Sequence, residues 1–315
     1  MRTLIVPCAG TRKIEDRPLF LAHYPDNQLL SIKAIEGVYP ENYDRIIFTV
    51  LRNDEDRFDA CQIIKNENKN RYNIEFVVLD TQTSGPAETV YKTIKRAGIK
   101  GEFAVRDSHA YLCVKKDYIG NFVAGLDLTK YEKTIDNLRS KSFITINEQG
   151  QILDIVEKHF CSDVISAGFY GFKSTEDFKN AYEHLCDPNY GIQRLYISHV
   201  ISYLIGYSQR IFHRAKVTEF EDWSTNSAWQ KIQKQKSLCL LDMDIVDFNT
   251  DNVKKLINLS NVGMAFIGYS RKEVSFADMK IPGVNLLSIV SNCPNTNSKV
   301  IISSIEDIDS MLLEV

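Results

Sequence analysis

Strand-like and helix-like segments alternate through the first 130 residues, and this alternation restricts the fold more than any other feature of the chain. Parallel strands need a long crossover between them, usually a helix, so this order is typical of a mostly parallel sheet covered by helices. The predicted strands are 4–7, 45–51, 74–79 and a run ending at Asp107. The predicted helices are 29–38, 54–66 and 89–97.

The pattern changes after residue 120. Short runs of β-forming residues at 122–126, 141–146, 152–157 and 165–172 follow one another, with a turn signal at 147–150. Such runs predict an antiparallel or mixed extension beside the parallel sheet. Helices at 175–185 and 196–205 and a strand at 209–217 complete this part.

A polar stretch at 230–237 has no core pattern and is a candidate domain boundary; the alternative is the solvated end of a helix. Beyond it a fresh α/β pattern begins, and 315 residues are enough for two domains. We therefore expect domains at 1–233 and 234–315. The smaller one is predicted to begin with a strand from Leu238, followed by a helix at 251–260. Three further strands are predicted at 264–269, 284–289 and 300–303.

Composition restricts the class of partner. The net charge is −3 and the isoelectric point is about 6.1, so no overall basic field attracts nucleic acid or an anionic membrane. A small phosphorylated substrate needs only local positive charge. The seven cysteines form no C-x-x-C pair, and no apolar run approaches the ~20 residues of a membrane span. We expect a soluble, cytoplasmic protein with reduced thiols; its oligomeric state stays open, a homo-oligomer included.

Two separated aspartate motifs, Arg106–His109 and Glu221–Thr225, predict a metal site. Asp107 ends a strand, where ligands of open α/β sheets collect, and Asp222 lies in a turn-like segment. A Mg²⁺ ion commonly takes only one or two protein carboxylates and leaves its other positions to water and phosphate oxygens. We expect the two carboxylates to converge, although either aspartate taken alone is more typical of a turn or a helix N-cap.

The segment Thr83–Glu88 reads as a turn that leads into a helix. Thr83 or Ser84 is predicted to cap that helix. Its free backbone N–H groups would then form a site for an anion or a nucleobase.

Over roughly the first 230 residues, the order and spacing of these motifs resemble the sugar-phosphate nucleotidyltransferases. The resemblance is specifically to a capsule-locus type in which that domain precedes a haloacid dehalogenase-like domain. The segments that carry it are Ile5–Arg12, Arg17–Leu21, Thr83–Tyr91, Arg106–Ser108, Ile155–Lys158, Ala167–Phe172, Leu195–His199 and Glu221–Thr225.

The resemblance implies a Rossmann-like, GT-A-like fold and an enzyme that joins an NTP to a sugar phosphate or similar phosphomonoester and releases pyrophosphate. In such transfer, positioning and charge neutralisation carry most of the catalysis. The implied catalytic residues are Arg12, Lys13, Asp107 and Lys158, and the implied Mg²⁺ ligands are Asp107 and Asp222. The acceptor is expected at Glu157, Lys158 and Gly168. The nucleotide is expected at Pro7, Ala9, Gly10, Thr11, Thr83, Ser84, Gly85 and Glu88.

The sequence also departs from the family pattern. Arg12 follows Gly10 after one residue, so the phosphate loop is short, and Leu19 stands where the family has a lysine after Pro18. Lys13 or Arg17 are the candidates to replace that charge. These departures keep a second hypothesis open: a catalytically weakened homologue that binds nucleotide or sugar nucleotide as a regulatory or partner subunit.

The C-terminal part resembles a haloacid dehalogenase-like domain at Leu241–Asp244 and Tyr269–Arg271. The resemblance implies a nucleophile at Asp242 and a general acid at Asp244. The family's last acidic motif falls on Ile302–Ile305, which offers no carboxylate to hold a metal. We therefore expect an inactive remnant with a structural or interaction role, and regard a working phosphatase as the weakest alternative.

Overall fold

The computed structural model describes most of the chain. The described residues are 1–10, 13–14, 17–24, 28–131, 135, 137–225, 227–230, 238–244, 246–261, 264–272, 281–284, 286–290 and 300–302. Contacts divide the chain into two compact units, one of Met1–Ala22 with Gln28–Ala228 and one of His23–Asn27 with Trp229–Val315. The predicted boundary at 233 and 234 lies outside the described residues.

The first unit combines strands and helices. Its strands are β1 (Thr3–Pro7), β2 (Lys13–Ile14), β3 (Arg17–Pro18), β4 (Arg45–Leu51), β5 (Ile74–Leu79), β6 (Phe103–Arg106), β7 (Ala110–Val114), β8 (Phe122–Asp127), β9 (Ser142–Ile146), β10 (Gln151–Glu157), β11 (Val164–Phe172) and β12 (Phe212–Asp222). Its α-helices are α1 (Leu30–Glu36), α2 (Arg52–Phe58), α3 (Ala60–Asn68), α4 (Pro86–Arg96), α5 (Thr175–Leu185) and α6 (Ile197–Gly206).

The large sheet has the order β5-β4-β1-β6-β11-β8-β12-β10-β9, and β7 pairs with β12. The strands β5, β4, β1 and β6 run parallel to one another. Beyond them, β11 runs antiparallel to β6 and β8, and β9 runs antiparallel to β10. The predicted α/β class, a mostly parallel sheet with an antiparallel extension, is confirmed.

The parallel strands are apolar on both faces because helices cover both. Successive side chains of a strand point to opposite faces, so Leu4 and Val6 of β1 join one core cluster and Ile5 joins the other. The first cluster contains side chains of α1 and α3, and the second contains side chains of α4, α5 and α6. This packing holds the strand ends of β1 and β6 in fixed positions.

Three elements differ from the sequence prediction. The single helix expected at 54–66 is two helices, because Asp59 between α2 and α3 has the left-handed φ of 54°. The strand β7 was not predicted. The strand expected at 209–217 runs instead over Phe212–Asp222, since its second half pairs with β7.

The second unit contains a parallel sheet of order β15-β14-β13-β16. Its elements are β13 (Leu238–Asp242), α7 (Thr250–Asn261), β14 (Ala265–Tyr269), β15 (Leu286–Val290) and β16 (Val300–Ile302). These correspond to the predicted helix and strands within a few residues. In the described part of the chain, no helix combines the length and the apolar character that crossing a membrane requires.

Candidate active site

A cavity of about 460 Å³ opens in the first unit where parallel strands end. Pro7 ends β1 and Asp107 directly follows β6, and both line the cavity. Ligands of open α/β sheets bind outside these carboxyl ends. Predicted site residues that line the cavity are Pro7, Ala9, Gly10, Thr83, Gly85, Asp107, Glu157, Lys158 and Gly168.

Other predicted site residues lie elsewhere. Among the described residues, Lys13, Ser84, Glu88 and Asp222 do not line the cavity. Lys13 is exposed on the short hairpin of β2 and β3. Their assigned roles therefore stay predictions. The predicted residues Thr11 and Arg12 lie outside the described residues.

The amino end of α4 reaches the cavity through Gly85. A Cβ on Gly85 would lie 2.5 Å from the carbonyl oxygen of Leu195, so only glycine permits this close approach. Gly85 is the N-cap of α4 and no side chain caps the helix, so the predicted cap at Thr83 or Ser84 is wrong. The reason is a competing partner, because the Glu88 carboxylate accepts hydrogen bonds from the backbone and hydroxyl of Ser84 at 2.6 and 2.7 Å.

Asp107 is placed by the backbone of Gly168. The Asp107 N–H donates to the Gly168 carbonyl at 2.8 Å. Gly168 has a φ of 79°, and a Cβ there would lie 2.5 Å from Asp107 Oδ2. The absence of a side chain at residue 168 thus leaves the space that the Asp107 carboxylate occupies. His109 Nε2 lies 4.0 Å from the same oxygen.

The wholly buried Arg106 fixes the backbone behind this carboxylate. Its guanidinium donates to the carbonyls of Ala34 at 2.8 Å and Gly168 at 2.9 Å, and also to that of Ala110. Burial lowers the pKa of Arg106 to about 10, although Asp107 opposes the shift, so the side chain stays charged at neutral pH. This role of Arg106 was not predicted from the sequence, where the residue stands out only as a single cation at the end of an apolar run.

Glu157 also lines the cavity. Its Oε2 accepts hydrogen bonds from the hydroxyls of Ser142 and Ser198, each at 2.5 Å. Its Oε1 lies 3.9 Å from the ammonium of Lys158. The carboxylate is therefore held by β9 and α6 and presented together with Lys158. Neither serine was singled out from the sequence.

Two cations meet one aromatic ring beside Glu157. The Lys158 ammonium lies 4.1 Å from the centre of the Tyr196 ring and donates to its hydroxyl. The Arg194 guanidinium carbon lies 5.2 Å from the same ring centre. Cation–π contact holds such groups while leaving their charge available to an anion. Arg194 was missed, and Tyr196 was noted only as part of the segment Leu195–His199, without a role of its own.

Asp222 is brought to this region by strand pairing. It lies opposite Ala110, the first residue of β7, in the β12–β7 ladder. Its Oδ2 is 2.6 Å from Lys141 Nζ, and its Oδ1 accepts from the Ser224 N–H at 2.9 Å. Burial raises the pKa of Asp222, but the charge and hydrogen bond of Lys141 and the bonds from Ser224 outweigh burial and lower it. Asp222 is thus ionised.

No protein-family model matches the chain, and no curated protein matches it. Solved structures, in contrast, do match the chain. A nucleoside-diphosphate-sugar pyrophosphorylase from Vibrio cholerae RC9 is 18% identical, with 74% of this chain and 99% of that chain covered and a TM-score of 0.60. A putative glucose-1-phosphate thymidylyltransferase from Bacillus anthracis, in complex with a sucrose, is 13% identical over 74% and 94%, with a TM-score of 0.58.

The inositol-1-phosphate CTP transferase from T. maritima is 11% identical over 74% of this chain and 95% of that chain, with a TM-score of 0.57. These three structures share an α/β architecture with this chain. The fold is that of the sugar-phosphate nucleotidyltransferases.

The nucleotidyltransferase resemblance implies Mg²⁺, and the residues present fit that ion. The Asp107 carboxylate lines the cavity, where it can take up a cation. Asp222 Oδ1 accepts a hydrogen bond from Ser224 and Oδ2 is ion-paired with Lys141, but a carboxylate has about four lone-pair sites, so it can share. Within the described residues no three acidic, histidine or cysteine side chains form a cluster suited to a metal. An ion here would take most of its ligands from water and phosphate.

Proposed function

We propose that the protein is a Mg²⁺-dependent nucleotidyltransferase that joins an NTP to a sugar phosphate or similar phosphomonoester and releases pyrophosphate. One observation carries the proposal: a single cavity combines Gly10 and Gly85, the Asp107 carboxylate and the Glu157–Lys158 pair. Solved proteins with this fold are named as pyrophosphorylases and nucleotide transferases.

The chemistry is an in-line displacement at the α-phosphorus of the NTP. A phosphate oxygen of the acceptor forms the new P–O bond, the bond to the β-phosphate breaks, and pyrophosphate leaves. Asp107, with Asp222 as the predicted second ligand, would hold Mg²⁺, and the bound ion would neutralise phosphate charge. Positioning does the rest, because the protein makes no covalent bond in such a transfer.

The residues of the cavity divide between the two substrates. The amide groups at Gly10 and at the amino end of α4 suit the nucleotide, since helix N-termini bind anions. Lys158 and Arg194 on the Tyr196 ring suit the acceptor phosphate, and Glu157 suits a hydroxyl donor on the acceptor. This assignment requires both substrates to bind in one cavity.

We also propose that the reaction belongs to the cytoplasmic synthesis of surface polysaccharide precursors, and that the second unit is an inactive haloacid dehalogenase-like remnant. The support is the capsule-locus type of the motif pattern and the position of Leu241–Asp244 at the end of β13. The positions Ser303 and Ser304, where the family's last acidic motif falls, lie outside the described residues.

A second candidate function is supported by Leu19. This residue is buried and lines the cavity at the position of the family's lysine. Loss of that charge favours a homologue that binds nucleotide or sugar nucleotide and acts as a regulatory or partner subunit.

A thermal-shift screen of NTPs with Mg²⁺, followed by a pyrophosphate-release assay over a panel of sugar phosphates, tests both functions. A ligand at 100 times its Kd stabilises the protein by about 2.7 kcal/mol. We expect one NTP to raise the melting temperature and at least one acceptor to release pyrophosphate. Binding without release would favour the regulatory subunit, and the absence of any nucleotide binding would contradict both functions.

A further inference from the structure

The cavity lacks the lysine that the family places at residue 19. Leu19 is only 6% exposed and contributes an apolar wall. The sequence offers Lys13 and Arg17 as substitutes, but neither lines the cavity in the part of the chain that the structure describes. Another cation is needed if the phosphates of a nucleotide are to be neutralised there.

Lys141 does line the cavity. Its side chain is 11% exposed, and its ammonium lies 5.9 Å from the centre of the Phe220 ring. Lysine is almost never this deeply buried without a partner. Here the partner is Asp222, whose Oδ2 is 2.6 Å away. The pair therefore fixes a positive charge in the cavity wall.

Ser224 contacts both members of the Lys141–Asp222 pair. Asp222 Oδ1 accepts from the Ser224 N–H at 2.9 Å, and the Ser224 hydroxyl lies 3.4 Å from the Lys141 ammonium. An ammonium has three hydrogen-bond donors. The Ser224 hydroxyl accepts from one of them at 3.4 Å and Asp222 Oδ2 forms an ion pair at 2.6 Å, so the ammonium keeps a donor for a ligand in the cavity.

Lys141 is also coupled by backbone to the acceptor side of the cavity. Its carbonyl accepts from the Lys158 N–H at 3.1 Å. The next residue, Ser142, lies opposite Glu157 in the β9–β10 ladder and bonds to its carboxylate. One pair of strands thus fixes the spacing of the two cations, Lys141 beside Asp222 and Lys158 beside Glu157.

We propose that the Lys141 ammonium binds the phosphates of the nucleotide and that Asp222 is its positioning residue. The assignment rests on the proposed nucleotidyltransferase function. As the bond between the α- and β-phosphates breaks, negative charge accumulates on the leaving pyrophosphate. A fixed ammonium in a cavity stabilises that charge without any proton transfer.

The variant Lys141→Met tests the assignment, with Lys130→Met as the matched control. Lys130 is 82% exposed and forms only a 3.7 Å surface pair with Asp127. We expect Lys141→Met to lower kcat by ~10²–10³-fold and to weaken the binding of inorganic pyrophosphate, measured by calorimetry, by ~10-fold or more. Lys130→Met should change neither quantity by more than about twofold.

Removing Lys141 alone leaves the buried Asp222 charge without its partner, so a second variant is needed. The double variant Lys141→Met with Asp222→Asn removes both charges and should fold. With binding measured in the absence of Mg²⁺, so that the predicted metal role of Asp222 does not enter, we expect it to bind pyrophosphate as weakly as Lys141→Met does. Recovery of wild-type pyrophosphate affinity in the double variant would show that Lys141 only neutralises Asp222, and would overturn the proposal.

The charge-keeping variant Lys141→Arg gives a further measurement. We expect it to retain part of the pyrophosphate affinity, because the charge stays although the geometry changes. Wild-type pyrophosphate affinity in a folded Lys141→Met protein would also overturn the proposal. If the wild type turned over no NTP with any acceptor, the nucleotidyltransferase function would fail, while the binding measurements would still decide the role of Lys141.

Discussion

Asp107 and Asp222 in the first unit and Asp242 and Asp244 in the second unit lie near strand ends, and their surroundings differ. In the first unit, Asp107 lines a cavity of about 460 Å³, and Asp222 is paired at 2.6 Å with Lys141, which lines the same cavity. Carboxylate and ammonium groups there stand at the wall of a space large enough for a ligand.

In the second unit the two carboxylates are covered by their own neighbours. The Tyr269 hydroxyl donates to Asp242 at 2.9 Å, and the Ser270 hydroxyl donates to Asp244 at 2.7 Å. The Arg271 guanidinium lies 3.5 Å from Asp242 and 3.7 Å from Asp244. A strand-end carboxylate alone is therefore no sign of a working site; what matters is which groups occupy its lone pairs.

The largest expected effect is that of Asp107→Asn. The change keeps the shape of the side chain and removes its charge, so pyrophosphate release should fall by ~10³-fold while the fold stays intact. Circular dichroism and a coupled pyrophosphate assay measure both. The surface variant Asp177→Asn, which breaks an exposed pair with Arg210, is the control and should keep its turnover. Near-wild-type turnover in Asp107→Asn would show that the carboxylate at the cavity is no more a working group than the covered carboxylates of the second unit.

A smaller effect is expected from Gly168→Ala, compared with Gly98→Ala. Both glycines have positive φ, 79° and 60°, so each alanine should cost ~1–2 kcal/mol of stability. Only at Gly168 would the new Cβ meet Asp107 Oδ2, at 2.5 Å, whereas nothing lies within 4 Å at Gly98. We expect Gly168→Ala alone to lower turnover, by ~10²-fold. Equal turnover in the two variants would show that the position of Asp107 is unimportant.

Local pattern was enough to predict most of the sheet. The runs of β1, β4 and β5 are apolar because helices cover both faces, and that cause is visible in the sequence. The strand β7 was missed although its residues alternate between buried and half-buried, which is the local pattern of a strand. The helix break at Asp59 depends on a left-handed backbone that aspartate only occasionally adopts.

The site was predicted where it follows strand ends and missed where it depends on tertiary packing. Asp107 and Glu157 were singled out because motifs surround them, and both line the cavity. Lys141 was missed because it belongs to no motif, and a lone lysine before a strand is usually solvated. Lys141 is recognisable as a site residue only through its ion pair with Asp222, which lies 81 residues later in the sequence. The contact of Arg194 with the Tyr196 ring likewise cannot be read from the sequence.

A smaller effect still is expected from Asp242→Asn. The asparagine can still accept from Tyr269, and the change relieves repulsion from Asp244 while losing attraction to Arg271. We expect the free energy of unfolding to change by about 1 kcal/mol or less, and phosphatase activity to stay at background in the wild type and the variant. A Mg²⁺-dependent phosphatase activity that disappears in Asp242→Asn would make the second aspartate pair a working site.

The smallest expected effect concerns the pKa of Asp244. The Arg271 N–H and the Ser270 hydroxyl donate to the charged carboxylate and lower the pKa of Asp244 below its ordinary value. Because the folded-state pKa is lowered, this carboxylate contributes stability above its unfolded pKa of about 3.9, and the contribution is lost as pH falls through the lower folded value. Ser270→Ala removes one donor, so the pKa should rise towards the ordinary value.

Carboxyl ¹³C shifts measured over a pH series can follow Asp244 directly. Ser162→Ala is the control, since the Ser162 hydroxyl donates to the carbonyl of Ile144 in the first unit and should leave the pKa of Asp244 unchanged. A pKa of Asp244 that does not move in Ser270→Ala would mean that the hydroxyl contributes nothing to covering this aspartate. Asp244 would then be covered by the backbone and side chain of Arg271, while Tyr269 would still cover Asp242.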